Sequence, residues 1–215
     1  MATRPAYLIQ NEQVIRKDFA FTWVSGLSAS QKRKCALSLH DAIRNTDPAA
    51  NVLEVSTKSN VPLGVSMSAF NLKLDGYPLE CVFQSSKTFS ESGTHPELLT
   101  LPPKMAKQQI RLIQEASGGI LTGFRYQGID FPLDPKTLFY DYIYIKAIQE
   151  TLPVDQIAQI AQYDYFTDIE FNPEKSINTQ AKTAAEIRLM LMLYGEIPEM
   201  SMEQFLFFHR NNVLA

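Results

Sequence analysis

Cysteine is nearly absent: Cys35 and Cys81 are the only two in 215 residues, and they form no CxxC pair. That excludes a disulfide framework. The only histidines, His40, His95 and His209, are widely scattered, so no zinc-type ligand spacing exists either. No metal and no cofactor are expected. There is no GxxxxGK[ST] and no GxGxxG after a strand, which excludes a P-loop and a simple dinucleotide fold. Neither GxSxG nor HExxH occurs. No apolar run approaches the roughly 18 residues of a membrane span. The opening MATRPAYLIQNEQ lacks the apolar centre of a secretory signal. A reduced, cytoplasmic protein without membrane contact is therefore expected. Charge of one sign is not in excess: the net charge of −3 excludes a broad basic footprint for nucleic acid, while leaving room for a local pocket that takes one modified nucleotide.

What is present suits a single soluble domain with a substantial core, 45% apolar and 20% charged. DFAFTWV places Phe19, Phe21 and Trp23 on one side of a strand by alternation. SASQKRKCALSLHDAIRNTDP predicts a helix capped near Ser28 or Ser30 and stopped before Pro48, with Cys35, Leu39, Ala42 and Ile43 inward. A short strand at NVLEV, a polar loop around Lys58 and an Asp75-Gly76 turn follow. Further helices are expected from Pro102-Pro103 to Gly118-Gly119, over LDPKTLFYDYIYIKAIQETL, over PVDQIAQIAQY and over TQAKTAAEIRLMLMLY up to Gly195. A last helix covers SMEQFLFFHR, where Ser201 and Gln204 have capping-box spacing. The fold class is α+β, predominantly helical with a few short strands.

Two stretches hold the chemistry. LECVFQSSKTF, 79–89, reads as one amphipathic helix with Leu79, Val82, Phe83, Ser86 and Phe89 in one arc. Glu80, Gln84 and Lys87 form a second row at i, i+4 and i+7 on its flank, spanning roughly 10 Å of rise. Such a row is a solvated boundary or a set of groups spaced to bracket a ligand. YDYFTDIEFNPEKSIN interleaves Asp164, Asp168, Glu170 and Glu174 with Tyr163, Tyr165, Phe166 and Phe171. That composition suits either a pocket that stacks a base and binds a sugar, or a surface loop anchored by its aromatics. With no histidine in a polar stretch, acid–base chemistry falls to carboxylates, lysines and amides.

Together these stretches resemble the NADAR family of N-glycosidases. The pattern is SAFNLKLDGYPLECVFQSSKTF, in which Glu80, Phe83, Gln84, Lys87 and Phe89 match, with STKS before it and AKQQIR after it. TDIEFNPEKSINTQA and the opening ATRPA are similar to the branch found as antitoxins beside DarT-type toxins, which ADP-ribosylate guanine in DNA. Cys81 and Val82, where NADAR proteins at large carry aromatics, also favour that branch, as does FTDIEFNPEKSIN in place of a glycine-rich tryptophan loop. The resemblance implies a single NADAR-like domain over residues 1–215, with 1–50 a branch-specific extension packed on a core of 51–215.

It further implies removal of ADP-ribose from the amino group of guanine in DNA, with no cofactor. Glu80 is then the first choice to stabilise charge at the anomeric carbon or to carry a proton in a dry pocket. Lys87 or Lys58 offers a Schiff-base route, its amine brought down from about 10.4. Asp168 is a second acid–base group. Gln84, Phe83, Ser56, Glu170, Phe171, Lys175 and Asn178 are candidate substrate contacts, Asn178 alternatively a helix cap. Lys58, Lys175 and Arg111 are candidate diphosphate partners, Arg111 alternatively a plain surface residue. Two other readings compete. One is a riboflavin-pathway glycosidase that cleaves a phosphoribosyl-aminopyrimidine with the same Glu80. The other is a non-catalytic antitoxin that blocks its toxin through MEQFLFFHRNNVLA, whose contiguous Phe205, Leu206, Phe207 and Phe208 have to bury on more than one side.

Overall fold

A computed structural model describes residues 1–26, 28–174, 176–177 and 179–214. The chain opens with a hairpin of which the sequence reading catches only the second strand. Strands β1 (Ala2–Gln10) and β2 (Gln13–Phe21) pair antiparallel over their full length. Asn11 and Glu12 turn the hairpin with φ of 52° and 58°, the left-handed geometry that a two-residue turn requires. Phe19 and Phe21 are buried as expected, but Trp23 lies beyond the strand, partly exposed, with Arg4 and Lys32 over its ring.

Helix α1 (Ala29–Thr46) begins at Ser28, where Gln31 completes a capping box. Then follow β3 (Val52–Glu54), a single turn of helix, α2 (Pro62–Ser66), and the two-residue strands β4 (Lys73–Leu74) and β5 (Tyr77–Pro78) on either side of Asp75-Gly76. The expected 79–89 helix is two elements, α3 (Leu79–Ser85) and β6 (Lys87–Phe89). The Ser85 and Ser86 hydroxyls both turn back to donate to the Val82 carbonyl, at 3.1 and 2.8 Å. Such local bonds compete with the next helical turn. Lys87 then pairs with Phe124 across the next sheet.

Helix α4 (Pro103–Ser117) ends on Gly118 at φ 67°, and a hairpin of β7 (Leu121–Tyr126) and β8 (Ile129–Phe131) joins β6 in a second sheet. The chain continues through α5 (Leu138–Thr151), α6 (Val154–Gln159), β9 (Tyr165–Thr167), α7 (Gln180–Tyr194) and α8 (Met202–Asn212).

The main sheet has the order β2-β1-β9-β3, antiparallel except for β3 beside β9. It is covered on both faces. Ala6, Leu8, Val52 and Tyr165 meet Cys35, Leu39 and Ile43 of α1 on one side. Tyr7, Leu53 and Phe166 meet Ile143, Ala147, Ala181 and Ala185 of α5 and α7 on the other. The first fifty residues thus share this sheet through β1, which pairs directly with β9. On α8, Phe205 and Phe208 are buried and Leu206 partly so, but Phe207 stands 73% exposed. The apolar run therefore obeys ordinary helical periodicity within the chain and leaves the Phe207 face uncovered.

Inside the core an ionic cluster joins α5, α7 and α8. Lys182 donates to Asp141 Oδ2 at 2.6 Å and to Glu186, His209 Nε2 lies 3.0 Å from Asp141, and Thr183 donates to Asp141 Oδ1. All four ionisable groups are buried. Among the described residues no helix is long and apolar enough to cross a membrane.

Candidate functional site

The parallel strands β3 and β9 end side by side at Glu54 and Thr167. Loops that leave the carboxyl ends of parallel strands are where open sheets build their sites. The loop after β9, with α3, α4 and residues Ala69 and Phe70, encloses a cavity of about 650 Å³, within the range of small-molecule sites. Its walls bring together Glu80, Phe83 and Gln84 from α3 with Asp168, Glu170 and Phe171 from the β9 loop. Six of the expected site residues, from two stretches more than 80 positions apart, thus face one space.

On α3, Gln84 Nε2 donates to Glu80 Oε1 at 2.8 Å, and Lys107 of α4 lies 3.9 Å from the same oxygen. The Gln84 amide is 3% exposed, and its Oε1 accepts no hydrogen bond among the described residues. A buried acceptor of this kind suits a donor brought by a ligand. Phe83 stacks in an aromatic cluster with Phe124, Phe139 and Tyr140 and forms one wall.

Asp168 is buried, and its Oδ1 accepts from the backbone N–H groups of Glu170 and Phe171 at 3.0 and 3.1 Å. The Gln180 side chain also bonds it. Burial, and after it the charge of Glu54, push the Asp168 carboxyl up to about 8 against those hydrogen bonds. Glu54 lies behind, 2% exposed, accepting from Ser56 Oγ at 2.6 Å, Thr167 Oγ1 at 2.7 Å and the Ile169 N–H at 2.8 Å. Burial raises it too. His40 sits at 2.9 Å from Thr167 Oγ1 and is lowered to about 4, by burial first, so it is neutral. Because Thr167 gives its hydroxyl proton to Glu54, His40 must donate from Nε2.

Lys87, Lys58 and Ser56 are absent from the cavity lining. Lys87 is on β6, not in a row with Glu80 and Gln84. Its Nζ lies over the Phe83 ring, 5.4 Å from the centroid, and its amine is lowered by burial. Lys58 donates to Thr57 Oγ1 at 2.7 Å and lies 3.8 Å from Glu170, outside the cavity wall. Ser56 spends its hydroxyl on Glu54. Arg111 does line the cavity, beside Lys107. Lys175 and Asn178 lie outside the described residues.

Glu54, Tyr140, Gln180 and Phe70 belong to the site without having been singled out. Glu54 has a visible signal, an acid inside the apolar strand VLEV; Gln180 has none. Asp141, Glu186 and His209 place ligand atoms within 4.8 Å of one another. Lys182 Nζ is within hydrogen-bonding reach of all three, so an ammonium already supplies the cation there.

No curated protein matches the chain. A family model described as DarT1-associated NADAR antitoxin matches residues 2–213.

Proposed function

The chain belongs to the DarT1-associated NADAR antitoxin family, and from that premise we propose that it is an N-glycosidase that removes ADP-ribose from the amino group of guanine in DNA. One observation carries the reading: Glu80 with Gln84, and the buried Asp168 with Glu170, line the same cavity. Breaking the C–N bond develops positive charge at the anomeric carbon and negative charge on the departing nitrogen. Glu80, as a carboxylate held by Gln84, offsets the first. Asp168 carries a proton at neutral pH and gives it to the guanine nitrogen as the bond breaks.

Water then adds to the anomeric carbon and returns a proton to the Asp168 carboxylate. The products are free ADP-ribose and an unmodified guanine, so one water is consumed and both carboxyl groups are restored. Phe83, Phe171 and the unpartnered Gln84 Oε1 bind the sugar and base. Glu170, backed by Lys58, contacts a sugar hydroxyl. We favour this carboxylate route because Glu80 and Asp168 line the cavity together, while the Lys87 amine lies over the Phe83 ring within reach of the charges of Glu80, Lys107 and Arg111.

The test is mass analysis of a guanine-ADP-ribosylated oligonucleotide after incubation with wild type or with Glu80→Gln. Wild type should restore the bare oligonucleotide, and the variant should be slower by about 100-fold or more. If wild type leaves the adduct intact, the antitoxin acts on another N-glycoside or by binding, and a pull-down with the toxin decides between them.

A further inference from the structure

Helix α8 is held firmly along its length. Ser201 and Gln204 close its capping box, His209 is tied to Asp141 in the buried ionic cluster, and beyond its last turn the Leu214 N–H donates to the Val14 carbonyl of β2 at 3.0 Å. With Phe205 and Phe208 buried on its inner face the helix cannot roll, and Phe207 is fixed outward. It does not stand on a flat surface. Together with Tyr194 at the end of α7, Met200 and Phe208, it lines a groove of about 490 Å³. The charged residues of that groove are Glu199 and Glu203, both acids. Lys146 donates to Glu199 from outside the lining, and Glu203 accepts from Ser201 Oγ at 2.9 Å. One exposed aromatic is commonplace. An aromatic ring on a fixed helix, set in an apolar groove with a rim of one charge, has the composition of an interface centre. Its ordering cost on binding is already met by the fold.

We infer that this groove docks the cognate toxin, which sets one large apolar side chain against Phe207 and Tyr194 and flanks it with Lys or Arg facing Glu199 and Glu203. The family description pairs these antitoxins with a DarT1 partner, and a protein that works on DNA carries exposed cations for the phosphates. That the toxin works on DNA rests on the function proposed above; the shape and charge of the groove do not. A second copy of this chain is a poorer occupant, because a two-fold contact through Phe207 sets two acidic rims against each other. The segment after α8 runs along β2 and does not fill the groove. The site is also separate from the candidate cavity. Gln180 faces that cavity from the first turn of α7 and Tyr194 lines the groove at the last, roughly 20 Å apart along the axis. Docking and cleavage can therefore proceed on one molecule.

The test is binding of purified, nuclease-treated toxin to the full chain, for wild type, Phe207→Asp, and Glu199→Gln combined with Glu203→Gln. All three residues replaced are at the surface, so the variants should melt with wild type, which thermal unfolding checks. Calorimetry should show wild type binding the toxin and Phe207→Asp raising Kd about 30-fold or more. By biolayer interferometry the glutamine pair should slow association about three-fold or more at low salt, with the difference closing at high salt. A toxin that does not bind, or that binds every variant like wild type, overturns the inference. So does a dimer of the antitoxin alone that Phe207→Asp abolishes, since the groove then belongs to a second copy. Cleavage of the ADP-ribosylated oligonucleotide is measured on the same proteins, and Phe207→Asp should match wild type. An antitoxin that holds the toxin through the groove and cleaves nothing sinks the glycosidase reading alone; one that cleaves normally and never holds the toxin sinks the docking alone.

Discussion

Replacing Glu54 by glutamine should make this protein more stable in alkali, although Glu54 is buried and accepts three hydrogen bonds. The cause is its neighbour. Asp168 titrates near 3.9 in an unfolded chain and is pushed up to about 8 in the fold. A raised carboxyl contributes stability that is fully present below about pH 4 and lost as pH rises through about 8. At about 1.4 kcal/mol per pH unit, the gap of about four units costs on the order of 5 kcal/mol in alkali. Burial is the larger cause and the Glu54 charge the second. If that charge accounts for one or two of those pH units, its removal returns about 1.4 to 3 kcal/mol at pH 9. For a chain of this length, that raises Tm by roughly 3 to 12 °C.

Glutamine keeps the volume and an acceptor for Ser56 and the Ile169 N–H. Thr167, left without its acceptor, can turn its hydroxyl to a deprotonated His40 Nε2. Thermal unfolding at pH 5 and pH 9 is the assay, repeated in an Asp168→Asn background. There the gain should shrink, since only the burial cost of Glu54 itself remains. A variant that melts lower than wild type at pH 9, or gains equally with and without Asp168, would refute the coupling of the two carboxyls.

If Asp168 is the acid of the proposed reaction, turnover should fall about tenfold per pH unit above pH 8, and Glu54→Gln should move that limb to lower pH. A rate that stays flat to pH 10 would remove Asp168 as the acid. Lys182→Met leaves Asp141 and Glu186 buried without their ammonium, a loss of about 3 to 5 kcal/mol in urea unfolding; adding Glu186→Gln should restore part of it, and no rescue would argue against a charge effect. Gly64→Ala would put a Cβ 2.0 Å from the Glu54 carbonyl oxygen and 2.5 Å from Ser59 Oγ, so the backbone at the end of β3 must shift. A cost of about 1 to 3 kcal/mol is expected, and an unchanged denaturation midpoint would show that α2 yields freely.

Helices were legible wherever their ends carry chemistry. Ser28 with Gln31 and Ser201 with Gln204 announce two starts, and Gly118 and Gly195, both at positive φ, announce two stops. The break after Ser85 has neither glycine nor proline, only two serines folding back on Val82, so the periodicity reads straight through it. That is why Lys87 joined a row that does not exist. The turn at Asn11-Glu12 lacks the glycine that usually betrays a two-residue hairpin, and β1 passed unread. Strand β9 is buried on both faces, so it shows no alternation and hides inside a segment that looks like a loop.

In the candidate site, spacing singles out Glu80 and Gln84, and composition points to the loop that holds Asp168 and Glu170. Their meeting in one cavity was implied by the family resemblance and not by residue type or spacing, because it depends on how the loop after β9 folds against α3. Gln180 gives no sign in the sequence that it would bridge Asp168 to the Ala69 backbone.

The opening hairpin also limits how the protein can be shortened. The first fifty residues look like an addition to the rest, and a fragment starting near residue 51 is the natural choice for a smaller protein. In that fragment β9 would lose β1 and be left with β3 as its only neighbour, so the backbone of Tyr165–Thr167 becomes a bare sheet edge. An uncovered edge bearing aromatic side chains is a template for joining another chain. The fragment should therefore self-associate rather than persist as a minimal monomer, and the loop it disturbs begins one residue later, at Asp168. The hairpin functions as an intramolecular cap on an adhesive strand, much as a pilin subunit awaits its donor strand.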